Sequence, residues 1–271
     1  MTGQDEWRQW HDARLARLRS PHGTLALIGT HWLEKEPAPI VPGEPVLWSG
    51  DAESVTVTAR AEHGLVFDGQ TIDGTVTLNP DTSPNPSTLT SAEGRYRLVP
   101  IVRGGVAALR AYDQEAPTRQ NFLGVATFDY APDWARLARF TAYPEERVET
   151  VLNADGAYRG LELVGTVEFT LPGPEPTDAT EPPLAASLVV ERNDDGTLNA
   201  VFADQTSGHT SYRFRFLTFP APAADGSTVA DFNRAYLPPC AFADHYLCPV
   251  PPAGNTLPVA IEAGERSVQT K

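Results

Sequence analysis

Arg95-Tyr-Arg-Leu-Val-Pro-Ile-Val-Arg103, Gly104-Gly105, Val106-Ala-Ala-Leu-Arg-Ala-Tyr112 is the stretch that decides the fold. Two apolar-rich runs flank a Gly-Gly pair, and glycine takes the positive φ of a tight primed turn without steric cost. The stretch predicts an antiparallel hairpin. The same grammar recurs on either side. Ser54-Val-Thr-Val-Thr-Ala59 and Thr75-Val-Thr-Leu78 alternate with the period of two that sets one strand face inward and one outward. Leu25-Ala-Leu-Ile-Gly29 is a short buried run, and further strands are predicted over 122–127, 138–142, 146–152, 158–171, 186–191, 197–203, 211–219 and 257–261. Asn193-Asp-Asp-Gly196 is a turn signal joining two of them.

Only residues 5–19 read as a helix of any length: Trp7, Trp10, Arg14, Leu15 and Leu18 recur at spacings of three and four, and Ser20-Pro21-His22-Gly23 stops the pattern. With 25 Pro and 21 Gly in 271 residues, turns outnumber long helices. The expected fold is mainly β: a single-domain antiparallel β-barrel or sandwich over 1–271, with an N-terminal α-helix, a β-rich body over 20–271 and a mobile Pro-rich loop near 171–185.

The formal net charge is −14, which argues against nucleic acid or an anionic membrane as partner, since phosphate binding needs a basic face. No apolar run approaches the ~20 residues of a membrane span. The opening Met1-Thr-Gly-Gln-Asp-Glu-Trp7 has neither a basic nor an apolar region of a secretory signal, so a cytoplasmic setting is expected. In such a reducing compartment the two cysteines are read as free thiols. A small-molecule ligand is the expected partner, with a homo-oligomer left open.

A second stretch breaks the β pattern. Asp231-Phe-Asn-Arg-Ala-Tyr236 runs into two Pro-Pro pairs, Pro238-Pro239 and Pro251-Pro252, and carries Cys240, Cys248 and Asn255. It resembles the signature of an uncharacterised bacterial family, the domain of unknown function numbered sixteen-eighty-four. The likeness extends through Ile261-Glu-Ala-Gly-Glu265 and upstream to Phe202-Ala-Asp-Gln-Thr-Ser-Gly208, Arg103-Gly104-Gly105 and Trp32-Leu-Glu34. Leu237, Leu247, Phe214 and Ser211 depart from the family pattern of Asn, Thr, Gly and Thr. The resemblance implies one domain with a shared site; it supplies no activity.

The candidate chemistry collects in these irregular segments. Asp204 and Thr206 share one side by the period-two rule, with Tyr212 across the turn and Arg215 on the next strand. Arg215 suits a two-pronged grip on a carboxylate, with Arg103 as a second anionic contact. Asp231 and Asn233, with Tyr236 beyond them, can hold a polar ligand or position a water. The expectation is a small-molecule-binding protein, and an enzyme on a polar or anionic metabolite, with Asp204 or Asp231 as general acid/base and Tyr212 beside them. Substrate would be held by Arg103, Thr206, Arg215, Asn233 and Tyr236. The alternative for the same residues is structural: they satisfy backbone groups in loops that have no ladder. No cofactor is expected. A zinc site on Cys240, Cys248 and His245 is the metal alternative, although the Cys spacing departs from that of zinc knuckles.

Overall fold

A computed structural model describes residues 2–40, 45–171 and 184–271. The Pro-rich loop expected near 171–185 lies outside the described residues over 172–183. The chain packs as two compact units: an N-terminal unit of Ala16–Phe122, and a C-terminal unit combining Met1–Leu15 with Leu123–Lys271. Both are antiparallel β, and helix α1 spans Gly3–Leu18, so the class is mainly β with an N-terminal helix.

The N-terminal unit holds β1 (Leu27–Trp32), β2 (Leu47–Gly50), β3 (Val55–Ala59), β4 (Leu65–Phe67), β5 (Gln70–Thr71), β6 (Gly74–Leu78), β7 (Leu89–Ser91), β8 (Tyr96–Arg103) and β9 (Val106–Asp113). A six-stranded sheet runs β1-β9-β8-β7-β4-β5, and a three-stranded sheet runs β2-β3-β6. The predicted hairpin is β8–β9, with Arg103 opposite Val106. Its turn residues Gly104 and Gly105 sit at φ 59° and 76°, the geometry whose twist matches the strands it joins. Trp48, Val55, Val57 and Leu78 of the small sheet pack with Leu89 and Leu109 of the large one in a shared core.

The C-terminal unit holds β10 (Phe122–Thr127), β11 (Ala135–Leu152), β12 (Tyr158–Leu171), β13 (Leu184–Arg192), β14 (Leu198–Phe202), β15 (Arg215–Phe219), β16 (Ser227–Asp231) and β17 (Glu265–Thr270). Its main sheet has the order β15-β14-β13-β12-β11-β16, and β10 pairs separately with β17. The two strands expected over 138–142 and 146–152 are one, β11, whose register against β12 shifts between Ala142 and Arg147. Val167, Phe169, Leu188, Val190, Leu198, Phe202, Leu217 and Phe219 alternate inward to form the core around Phe232. The rings of Phe169, Phe202 and Trp134 meet Phe232 edge-on, with centroids 5.4, 5.7 and 6.2 Å away.

Residues 257–261 form no strand. Their backbone is satisfied singly: Leu257 N donates to Ala203 O at 2.8 Å and Gln205 N to Val259 O at 3.1 Å. Strand β17 was not legible because Glu265-Arg-Ser-Val-Gln-Thr270 is largely polar on both faces. Strand 211–219 begins only at Arg215, since Asp204 to Ser211 is wound into successive turns.

One side chain completes the main sheet. Strands β13 and β14 pair only at Glu191–Asn199 and Arg192–Leu198. Beyond that point the primary amide of Asn255, fully buried, stands in for a missing strand. It accepts from Val189 N at 2.8 Å and donates to Val189 O and Val201 O at 2.9 Å each. An unpaired buried backbone group costs roughly 1–3 kcal/mol. Asn255→Ala strands several at once, so urea unfolding should show a loss of roughly 3–5 kcal/mol; a loss below about 1 kcal/mol would mean that water replaces the amide.

Candidate functional site

Three of the predicted residues meet in the C-terminal unit. Arg215 and Asp204 form an ion pair at 2.8 Å with both side chains wholly buried. Arg215 also donates to Ala263 O, Ile261 O and Thr206 Oγ1, and its guanidinium lies 5.3 Å from the ring centre of Phe202. Asp204 accepts from Thr206 N at 2.7 Å and Ile261 N at 3.2 Å. Thr206 Oγ1 bonds Ser211 Oγ at 2.7 Å. Arg215 was expected to grip a substrate carboxylate and Asp204 to transfer protons; as placed, both face protein groups. The reason is geometric: the turn after β14 folds Asp204 inward under residues 261–263, where Arg215 meets the Asp204 carboxylate and the carbonyls of Ile261 and Ala263.

Asn233 is also buried. Its amide bonds Ala131 N and Ala131 O at 3.0 Å each, copying a strand neighbour. Glu265, at the head of β17, accepts from Leu237 N at 2.8 Å and from Arg14 of α1 at 2.7 and 3.1 Å. Trp7 Nε1 donates to Asn233 O at 2.7 Å. Helix α1 is thus tied to the irregular segment by polar anchors.

Asp231 and Tyr236 reach an open cleft of about 400 Å³ lined also by Trp10, Thr218, Pro220 and Arg234. Asp231 Oδ1 accepts from Asn233 N and Nδ2 at 3.1 and 3.0 Å, which leaves Oδ2 toward Arg234 at 3.3 Å. Arg234 Nε is buried and lacks an aligned hydrogen-bond acceptor, while its guanidinium lies 6.0 Å from the Trp10 ring. The cleft therefore holds a cation whose donors are only partly used.

Behind Tyr236 runs a row of polar groups across the outer face of the sheet. Its hydroxyl meets Thr218 Oγ1 at 3.3 Å and donates to Asn199 Oδ1 at 3.4 Å. Asn199 pairs in register with Glu191, which sets its amide beside that carboxylate. Burial pushes the Glu191 carboxyl up to about 7, Glu162 nearby adds to the rise, and the Asn199 amide opposes it. Burial likewise raises Tyr236 above the ordinary phenol range. A carboxylic acid that titrates near neutral pH, joined through an amide to a cleft phenol, is a pattern found at acid–base sites.

Glu191, Asn199, Trp10 and Arg234 were not among the residues singled out from sequence. A signal for two of them existed. The Asn193-Asp-Asp-Gly196 turn fixes the hairpin register, and that register sets Glu191 opposite Asn199.

The remaining candidates lie elsewhere. Arg103 belongs to the N-terminal unit, where it grips Asp81 through two bonds of 2.9 and 2.6 Å. Tyr212 turns from Asp204 toward Cys240, its hydroxyl 3.3 Å from Cys240 O. Of the residues named for a zinc site, Cys240 and Cys248 are buried and His245 is exposed, and among the described residues no group of three His, Cys, Asp or Glu is placed to hold a metal ion. The N-terminal unit has its own apolar cavity of about 540 Å³, walled by Trp48, Leu65, Leu98 and Leu109, with His31 and His63 at its lining. His63 Nδ1 accepts from Arg60 N at 3.0 Å, so the neutral ring carries its proton on Nε2.

Two measurements check this geometry. Asp204→Ala leaves Arg215 buried without its counter-charge and should lower stability in urea unfolding by roughly 3–5 kcal/mol; a loss near zero would show the pair open to water. Glu191 is held protonated by the fold, so the stability it lends is fully present below its unfolded pKa of about 4.5 and is lost as pH rises through about 7. Glu191→Gln should flatten the stability profile between those values and raise stability at pH 8, by at most ~3 kcal/mol. An unchanged profile would place an ordinary carboxyl at Glu191.

No curated protein matches the chain. Among solved structures, the solution NMR structure of an uncharacterized protein of Haloarcula marismortui is 31% identical, covers 55% of this chain and 79% of that one, and superposes with a TM-score of 0.43. A family described as "protein of unknown function (DUF1684)" matches residues 120–266, which is more than half of the chain and takes in the Asp204–Arg215 pair, the segment from Asp231 to Asn255 and the cleft residues other than Trp10. The chain belongs to this family.

Proposed function

We propose that the C-terminal unit binds a small polar or anionic molecule in the cleft between Trp10 and Tyr236, and acts on it as an acid–base enzyme. The observation that carries the reading is Arg234: a partly exposed guanidinium on the cleft wall, turned so that its Nε pairs with Asp231 Oδ2 at 3.3 Å. Its terminal nitrogens suit a carboxylate or phosphate, and Trp10 offers a flat apolar face beside them. Asp231 Oδ2, unused by Asn233, is the candidate general base. Tyr236 orients the ligand, and Asn199, which accepts from its hydroxyl, holds the phenol in position. In this reading Asp204, Thr206, Arg215 and Asn233 shape the cleft from beneath and do not touch the ligand.

The proposal treats 1–271 as a single domain, supported by a unit boundary, Leu15/Ala16, that falls inside α1. It takes a cytoplasmic setting, supported by two cysteines that are free thiols. Among the described residues no helix is long and apolar enough to cross a membrane. A second reading, a non-catalytic structural module, is favoured by one observation: Asp204, Asn233 and the two terminal nitrogens of Arg215 are bonded to protein partners.

A thermal-shift panel of small mono-, di- and tricarboxylates and inorganic phosphate tests the proposal. A ligand at about 100 times its Kd adds ~2.7 kcal/mol and raises Tm by several degrees. The expected hit is an organic anion whose shift disappears in Arg234→Ala and weakens in Tyr236→Phe. A shift that survives Arg234→Ala puts the ligand outside this cleft and contradicts the reading. Silence across the panel favours the structural module.

A further inference from the structure

The cysteine pair lies outside the chemistry of the cleft, yet its surroundings are specific. Cys240 sits in the single turn Pro239–Ala241, directly after Pro238. Cys248 Sγ accepts from Cys240 N at 3.3 Å, which sets the second sulfur against the backbone of the first cysteine. Tyr212 Oη lies 3.8 Å from Cys240 Sγ and donates toward it. Arg213 stands beside the pair, its guanidinium 5.7 Å from the Tyr212 ring centre.

A thiol, a phenol and a guanidinium therefore cluster about Cys240. All three stabilise a thiolate more than a thiol. The bond from Cys248 is the largest influence, and with Tyr212 and Arg213 it brings Cys240 down to about 7 against the opposing effect of burial. Burial and the neighbouring Cys240 hold Tyr212 at about 12, so it stays a proton donor. A buried cysteine that only fills space has no need of this arrangement. With 8% of Cys240 and 6% of Cys248 exposed, only a compact reagent reaches them.

We infer that Cys240 and Cys248 form a peroxide-reactive dithiol, with Cys240 as the attacking sulfur and Cys248 as the resolving one. In the first step the Cys240 thiolate attacks the terminal oxygen of a small hydroperoxide. The S–O bond forms, the O–O bond breaks, and the leaving alkoxide or hydroxide takes up the proton that the Cys240 thiol gave up. In the second, the Cys248 sulfur attacks the sulfenic sulfur. The S–S bond forms, and hydroxide leaves as water with the Cys248 proton. Two thiols and one hydroperoxide become one disulfide, one alcohol (water, for hydrogen peroxide) and one water. The peroxide is reduced and the two sulfurs are oxidised.

The test uses reduced full-length protein and one equivalent of hydrogen peroxide at pH 7, with intact mass read after alkylation. The expected product is a monomer lighter by two hydrogens with no alkylatable thiol. In Cys248→Ala the reaction should stop at a sulfenic acid that a dimedone probe captures on Cys240. The wild-type rate should rise with pH to a midpoint near 7. The double variant Tyr212→Phe, Arg213→Gln should move that midpoint upward and slow the reaction at pH 7 about tenfold. The wild-type readings stand even if the variants fail to fold. Two thiols still alkylatable after peroxide, a disulfide found only between chains, or a pH midpoint at the ordinary thiol value of about 8.5 would each overturn the inference.

Discussion

Burying an arginine without water is costly, and the C-terminal unit is organised around the means of doing so. Arg215 is wholly enclosed, and its guanidinium is met by Asp204, by the carbonyls of Ile261 and Ala263, and by the faces of Phe202 and Phe128. Removing either charge leaves the other stranded, so the two are bound to be kept or lost together. The pair also fixes where the chain goes. By holding the carbonyls of 261 and 263 and, through Asp204, the amide of 261, it pins a segment that has no ladder of its own.

The same device recurs along this segment. Asn255 fills the gap between β13 and β14, Asn233 pairs with Ala131, and Glu265 caps Leu237 while holding Arg14. Each is a side chain acting as a backbone neighbour, and each satisfies groups that burial would otherwise leave unpaired. The rigid platform that results presents Asp231, Arg234 and Tyr236 on one side of the cleft. Thr218, Asn199 and Glu191 reach it from the sheet. A cleft built this way can hold polar groups in fixed positions without exposing the core.

Much of the architecture was legible because period-two alternation and glycine turns are local. The β8–β9 hairpin, β12 and the strands at 55–59 and 122–127 follow from that pattern alone. What was not legible depends on partners far along the chain. Strand β17 has no alternation, and it exists because β10 offers it an edge. The polar residues of 204–265 were visible as a set, but sequence spacing does not say whether an Asp or Arg faces solvent or is sealed by a loop some fifty residues away. Arg215 is sealed and Arg234 is not, and nothing in their immediate neighbours distinguishes them. Glu191 ends a strand that the sequence shows, but the burial that raises its carboxyl depends on the sheet around it.

The central claim is that buried side chains replace a ladder across residues 232–264. Native-state hydrogen exchange tests it on the unaltered protein. The amides of Thr206, Ile261, Leu237, Val189 and Ala131 all donate to side-chain acceptors. The account predicts that they exchange as slowly as the core amides of β14 and β15, opening only with global unfolding. Exchange at the rate of an exposed loop, while β14 and β15 stay protected, would contradict it.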